Sequence, residues 1–306
     1  MSYAASKRGK VQSNQAQAAR RAAEEQARQE AAAKRRRRLV LGWGSGAVVL
    51  VAAVAVTVVQ VQAAQARDRL RGPDNMISDG LVMYGDTEKV VGLDVDGNGP
   101  GTDAAPTGSA RVLGIADLKL FVDYTDPEPA EFWAANGEAL SERMINGDVT
   151  LEIHPIGDDD ASIAAAAAFG CVAEDDRDSG LLAHGALLAA QDRIAAASAE
   201  ELSGVLQDAL AEGGVDDAAV ADCIADERFF PWVEDATQRA ADVAVYPELG
   251  PVTTSTLYVL DLPYSGDLSD TEAFMAAVET AVENVKTEAG IPLDDEAEDT
   301  GEADEG

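Results

Sequence analysis

The feature that most constrains this chain is an uninterrupted apolar run from Leu39 to Val61. Gln60 is its only strongly polar residue. As a helix, these 23 residues would extend over roughly 34 Å, which is enough to cross the hydrocarbon core of a bilayer. The run therefore predicts a single transmembrane helix at residues 39–61, dividing the chain into two parts.

The two parts carry opposite charge. Residues 1–72 hold 14 Lys/Arg and 4 Asp/Glu, whereas the rest of the chain holds 9 and 52. Five consecutive bases at 34–38 directly precede the apolar run, so the positive-inside rule predicts a single-pass protein of the cell membrane with a cytoplasmic N-terminus. A cleavable signal peptide ending near Ala64–Ala66 is the alternative. The length of the apolar run and of the preceding tail favours an uncleaved anchor.

The charge pattern also limits the partners of the extracytoplasmic part. Its excess of acids would repel a polyanion, which excludes nucleic acid as a partner of the main domain. No motif for a cofactor is present, and no cofactor is predicted. The predicted divisions are a basic cytoplasmic tail (1–38, helical or disordered), the transmembrane helix (39–61), an extracellular linker and N-terminal strand region (62–110), an α/β domain (111–290) and an acidic disordered tail (291–306).

A loop in the linker region has part of a calcium-binding pattern. Asp94, Asp96 and Asn98, followed by Gly99, match the first half of an EF-hand loop, in which alternate oxygens surround the cation. The position that should supply a bidentate glutamate is Ala105, and no helical pattern flanks the loop. A simple turn is favoured, and a calcium site stays the alternative.

Periodic patterns become clear after this loop. Residues 118–124 are predicted as a buried strand, 127–145 as a helix and 149–156 as a second strand, which together make a βαβ unit with parallel strands. An Ala-rich helical stretch at about 160–241 follows, and then a strand at 255–261. A final amphipathic helix is predicted to begin with a capping box, to bury an apolar stripe and to end at a glycine; these residues are Ser269, Glu272, Phe274, Val278, Val282, Val285 and Gly290.

The order of these elements resembles the DsbA-like family, whose members have a thioredoxin fold with an inserted helical domain, over roughly residues 74–290. Family members read D-[FY]-x-C-P-x-C-x-x-F where the first strand meets the helix. In this chain the segment is DYTDPEPAEF, so the frame survives while Asp126 and Pro129 stand where the family has its two cysteines. The resemblance implies an α/β, thioredoxin-like fold with a helical insertion, preceded here by the transmembrane helix.

The residues of the family's redox site are replaced. The first cysteine of the family acts as a thiolate stabilised by the helix N-terminus. Asp126 at this position predicts an N-cap, and Pro127 suits the first helical position, but the segment from Asp126 through Pro127, Glu128 and Pro129 has no thiol. The family's cis-proline corresponds to Ser255. We therefore expect a member without catalytic residues at the usual site.

Two cysteines, Cys171 and Cys223, lie in the predicted helical insertion. An even number of cysteines in an oxidising compartment favours a disulfide, and the resemblance implies a structural bridge in this region. The alternative is that the pair works as a redox couple, although it lacks C-x-x-C spacing.

Two functions from different classes follow. The first is a binding or scaffold module whose groove, including Tyr124, Trp133, Thr254 and Thr256, holds an extended extracytoplasmic protein or peptide. The second is a thiol–disulfide oxidoreductase that works through the two cysteines of the insertion. A cation-responsive domain built on the acidic loop is a third hypothesis. His154 and His184 are expected to be packed or surface residues.

Overall fold

The computed structural model describes residues 71–98 and 103–293. The predicted tail at 1–38, the predicted transmembrane helix at 39–61 and most of the acidic tail lie outside these residues. Within the two described ranges, no helix is long and apolar enough to cross a membrane. All described residues belong to one compact unit, 66–306.

A mixed sheet forms the centre of this unit. In the described part of the chain it has six strands in the order β2-β1-β4-β3-β5-β6. The parallel pair is β3 and β4, and the other neighbouring strands run antiparallel. The strands are β1 (Leu81–Asp86), β2 (Lys89–Gly92), β3 (Ala116–Val122), β4 (Val149–Pro155), β5 (Thr256–Val259) and β6 (Leu262–Pro263).

The predicted βαβ unit is confirmed. Helix α1 spans Pro127–Ile145, the predicted range, and buries Phe132, Leu140 and Met144 against the sheet. Its chain turns at Gly147, whose φ of 77° is a left-handed conformation that suits glycine. The following strand β4 then pairs with β3 over seven residues in parallel register. This crossover brings the C-terminal ends of both strands to one edge of the sheet.

A block of helices separates β4 from β5, as the Ala-rich pattern predicted. The first of them is almost entirely buried, because its small side chains allow several helices to approach it closely. The helices are α2 (Asp160–Asp175), α3 (Gly180–Ala189), α4 (Gln191–Ala196), α5 (Ala199–Glu212), α6 (Ala218–Ala225) and α7 (Phe230–Ala241).

Helix α8 (Thr271–Ala289) completes the core, and one detail of its prediction was wrong. The whole predicted stripe is buried, and Gly290 ends the helix with φ 71°. The N-cap, however, is Asp270, whose carboxylate accepts from the backbone N–H of Ala273 at 3.0 Å. Ser269 does not form the predicted capping box because its hydroxyl and backbone N–H both donate to Asp267.

Candidate functional site

The start of α1 carries a carboxylate in place of a thiol. Asp126 has an extended backbone and accepts a hydrogen bond from the backbone N–H of Glu128 at 3.1 Å, so it is the N-cap that the sequence predicted. Pro127 begins the helix, where a missing N–H does no harm. Pro129 is buried on the inner face. The helix N-terminus is therefore capped by its own chain.

The segment before β5 lies beside this helix start. The backbone N–H of Asp123 donates to the hydroxyl of Ser255 at 3.1 Å. This hydrogen bond links the residue after β3 to the residue before β5. Thr254 is exposed, and its carbonyl oxygen accepts a hydrogen bond from the hydroxyl of Thr256 at 3.0 Å. Every peptide bond within residues 71–98 and 103–293 is trans, including the one before Ser255. Two segments far apart in sequence thus share one surface.

Carboxylates crowd this edge of the sheet. Burial raises the pKa of Asp123, and the nearby carboxylates of Asp158 and Asp159 raise it further, against the opposing hydrogen bonds from Thr125. Those hydrogen bonds come from the Thr125 backbone N–H and hydroxyl, both 2.7 Å from the carboxylate. Asp126 and Glu128 add two more carboxylates at the helix start. The surface formed by these residues is anionic.

The structure does not place Tyr124 on that surface. Its side chain is fully buried, and its hydroxyl lies 3.1 Å from Nδ1 of His184. Burial raises the pKa of Tyr124 and lowers that of His184 to about 3, so both groups are neutral at pH 7. Trp133 packs edge-on against the same imidazole, with ring centroids 4.5 Å apart. Tyr124, just before α1, and Trp133, within α1, therefore both pack against α3, and Tyr124 does not contribute to an exposed groove.

The two cysteines form a disulfide between α2 and α6, with Cα atoms of Cys171 and Cys223 5.8 Å apart. The exposed fractions of these residues are 1% and 4%. The bridge lies inside the helical block and is separate in sequence and in structural element from the start of α1. Within the described residues no cysteine is free.

Comparison with protein families provides the assignment. Residues 116–258, from β3 through the helical block to β5, match the family model described as Thioredoxin. This segment is similar to thioredoxin domains. The resemblance deduced from the segment at 123–132 and from the order of the elements is confirmed at this level.

Solved structures similar to the chain include MdbA, which is described as a thiol–disulfide oxidoreductase, as well as proteins named DsbA and BdbD. MdbA from Corynebacterium diphtheriae is 14% identical, with 69% of this chain and 93% of that chain covered and a TM-score of 0.46. Reduced DsbA from Mycobacterium tuberculosis is 20% identical, and the match covers 69% of this chain and 99% of that chain with a TM-score of 0.47. Oxidised BdbD from Bacillus subtilis is 18% identical, and the match covers 70% of this chain and 98% of that chain with a TM-score of 0.47. A search of curated proteins found no match.

The sheet carries a second group of polar residues, which are buried and which the sequence did not identify. Successive residues of a strand point to opposite faces, and Lys119 of β3 pairs in register with Glu152 of β4. Both side chains are less than 10% exposed. Polar residues alternate with apolar ones in both strands, at Asp117 and Lys119 in β3 and at Thr150, Glu152 and His154 in β4, and this alternation was the available signal.

Glu152 is held by hydroxyl groups from three separate segments. The hydroxyls of Ser78, Thr107 and Tyr246 all donate to its carboxylate, those of Thr107 and Tyr246 at 2.9 Å. Burial alone would raise the pKa of Glu152, but neighbouring His154 and these hydrogen bonds outweigh burial and lower it to about 2. His154 Nε2 lies 3.6 Å from the Glu152 carboxylate. This distance permits an electrostatic interaction but is too long for a hydrogen bond.

Lys119 continues this group toward the edge of the sheet. Its ammonium lies 3.0 Å from Asp117 and 2.7 Å from Asp261, and 4.8 Å from the ring centroid of Tyr246. Arg111 binds the same two carboxylates. Lys119 and Arg111 thus pair with Asp117 and Asp261 within the chain itself. These ion pairs hold the loops over this face of the sheet and leave none of the four charged groups unpaired for a ligand.

The candidate calcium ligands are partly engaged by the protein. Asp94 lies 3.2 Å from the guanidinium of Arg177, and the side-chain amide of Asn98 donates to the carbonyl of Ile77 at 2.7 Å. Asp96 is exposed. Among the described residues, no three His, Cys, Asp or Glu side chains lie together in a position to hold a metal ion. The calcium site stays a prediction.

Proposed function

We propose that the chain is a membrane-tethered, extracytoplasmic DsbA-like protein whose thioredoxin-family domain binds a partner and has no redox activity at the usual site. The observation that carries the proposal is the start of α1, where Asp126 caps the helix. Thiol–disulfide exchange requires a thiolate that attacks a disulfide sulfur. A carboxylate cannot perform this exchange, and its oxygen is already bonded to the backbone of Glu128.

The partner contacts the surface formed by the α1 start and the segment before β5. Asp126, Glu128 and Thr254 contribute side chains to it, and the carboxylates of Asp123 and the exposed Asp158 add to its negative charge. Opposite charge favours association and increases its rate. We therefore propose a basic, extended segment of an extracytoplasmic protein as the partner.

The second candidate function is a thiol–disulfide oxidoreductase that uses Cys171 and Cys223. The observation in its favour is that both cysteines line a cavity in the helical block. Two observations count against this function. Both cysteines are buried, and Cys171 lies three turns into α2 and not at its N-terminus. A thiol in that position lacks the features that stabilise a thiolate.

One experiment separates the two functions. The full chain, a Cys171→Ala/Cys223→Ala variant and an Asp126→Cys/Pro129→Cys variant are assayed for insulin reduction and for oxidation of a reduced dithiol peptide. We expect no turnover from the first two and measurable turnover from the third, because it returns two thiols to the helix start. Turnover by the natural chain that disappears in the double-alanine variant would refute the proposal and favour the second function.

The binding half of the proposal has its own test. Immobilised full chain is offered a library of extended peptides with different net charge, and the Asp126→Asn/Glu128→Gln variant is compared with Glu131→Gln/Glu138→Gln on exposed positions of the same helix. We expect the first pair alone to weaken capture of basic peptides, by about tenfold. Equal effects of the two pairs would mean that only net charge matters.

Tethering is tested in cells that make the chain. We expect it in the membrane fraction, with residues 73–306 digested by a protease added outside. Recovery of an intact chain after digestion would contradict the proposed orientation.

A further inference from the structure

The helical block contains a cavity of about 160 Å³ that is separate from the α1 start. It lies between α2, α5, α6 and α7. Its inner wall is apolar and is made by residues that are at most 6% exposed: Ala164, Ala168, Cys171, Leu206, Cys223 and Ile224. The disulfide is therefore part of the wall.

The size of the cavity sets the size of the group that fits. An apolar cavity of about 150 Å³ stays dry and holds a benzene molecule. Ligand sites in proteins are typically apolar concavities with a few polar groups that fix orientation. The inner part of this cavity meets the first half of that description, with space for one six-membered ring.

The mouth of the cavity provides the polar groups. Asp160 and Glu227 line it and are exposed. Arg228 is the one base among its lining residues in the described part of the chain, and its guanidinium is engaged by Glu174 at 3.1 Å and lies 5.2 Å from the ring centroid of Phe229. A ligand at the mouth thus meets two carboxylates and a base that is already neutralised.

We propose that this cavity binds a small organic cation, with a benzene-sized apolar group inside and an ammonium at the mouth. The apolar wall supplies affinity by removing the ring from water, and the two carboxylates select a positive head group. The inference is independent of the proposed function, because it uses neither the α1 start nor the segment before β5.

The position of the disulfide adds a second consequence. A ring in the cavity lies against the wall that Cys171 and Cys223 help to form. Attack on a disulfide requires access to a sulfur along the S–S axis. The bound cation therefore slows reduction of this bridge by a soluble phosphine.

Binding is measured by saturation-transfer NMR titration of the full chain with benzylamine, benzyl alcohol and benzoate, which share the ring and differ in charge. We expect benzylamine to bind about tenfold more tightly than benzyl alcohol, and benzoate to bind more weakly than both. The Glu227→Gln variant should bring benzylamine close to benzyl alcohol. The adjacent Asp226→Asn variant, which does not line the cavity, is the matched control and should change nothing.

Two filling variants test the location. Ser203→Leu adds volume from α5, and Ala199→Leu does so from an exposed position that does not burden folding. We expect each folded variant, checked by circular dichroism, to weaken benzylamine binding about tenfold. Benzylamine should also slow phosphine reduction of the disulfide about threefold in the natural chain, and benzoate should not. Equal affinity for the three probes, or binding unaffected by Ala199→Leu, would overturn the proposal.

Discussion

Loss of the Cys171–Cys223 disulfide should reduce the stability of the domain by about 4 kcal/mol. The two cysteines are 52 residues apart, and closing a loop of that length removes about 14 cal/mol/K of entropy from the unfolded chain on the chain-entropy model. At 25 °C this corresponds to about 4 kcal/mol. The free energy of unfolding of a typical domain is about 5–15 kcal/mol, so the bridge provides a large share of it. The loop contains α3, α4 and α5, so much of the helical block depends on the bridge.

The assay is urea unfolding followed by far-UV circular dichroism. The natural chain is compared with the same protein in a phosphine reductant and with the Cys171→Ala/Cys223→Ala variant. With a slope of about 2 kcal/mol/M, a loss of about 4 kcal/mol moves the midpoint by about 2 M. Reductant should leave the double-alanine variant unchanged, because it has no bridge to reduce.

The reasoning would be refuted by a loss below about 1 kcal/mol in both the reduced protein and the variant. That result would mean that the helical block is held together in the unfolded state or that the bridge is strained. It would also remove the main support for a structural role, since a disulfide that contributes nothing to stability is a better candidate for redox work.

Three further changes have defined outcomes in thermal or urea unfolding. Glu152→Gln should destabilise the domain by about 3 kcal/mol at pH 7, and this difference should vanish as the pH falls from about 4.5 towards 2, because the depressed pKa of Glu152 contributes stability only above that window. Asp123→Asn should raise stability at pH 7, because burial penalises the charged form of this half-buried carboxylate, and the gain should disappear in acid because the pKa of Asp123 is raised. Gly85→Ala should cost about 1–3 kcal/mol because its Cβ would collide with the Met144 carbonyl, whereas Gly108→Ala, with open space around it, should not.

The elements with strong periodicity were predictable from the sequence. Helix α1 was predicted to the residue because its start has an N-cap and a proline and its end has a glycine that adopts a left-handed φ. The apolar stripe of α8 was predictable for the same reason. Its cap was not, because Ser269 and Asp270 are both good N-caps and the choice depends on Asp267, which occupies the serine.

The candidate site was predictable only in part. The replacement of cysteine by Asp126 could be found from the surviving frame, and Ser255 does lie beside Asp123. Tyr124 was assigned to a groove surface, but alternation along the chain turns it inward against His184. Tyr124 continues the buried alternation of Leu118, Leu120 and Val122, so the strand pattern itself indicated the core and not a groove.

The charged face of the sheet could not be derived from one sequence because its partners come from distant loops. Alternation in β3 and β4 indicates that Lys119 and Glu152 share a face, but it does not show whether water or protein covers them. Tyr246 and Thr107, which satisfy Glu152, belong to segments without periodic structure. The burial of this face is decided by loop packing, which the strand pattern does not specify.

The residues that hold the fold and the residues that would perform redox chemistry are different sets. The core depends on side chains such as Phe132 and Phe274, whose rings pack 5.1 Å apart between α1 and α8. The start of α1 requires only a hydrogen-bond acceptor followed by a residue that tolerates a missing N–H, and Asp126 and Pro127 satisfy both requirements. A thiol can thus be replaced by a carboxylate at this position without loss of the cap. The surviving frame predicts the fold but not the chemistry. For this reason the function is decided by the redox assay that compares the natural chain with the double-alanine variant and with the variant that carries cysteines at 126 and 129.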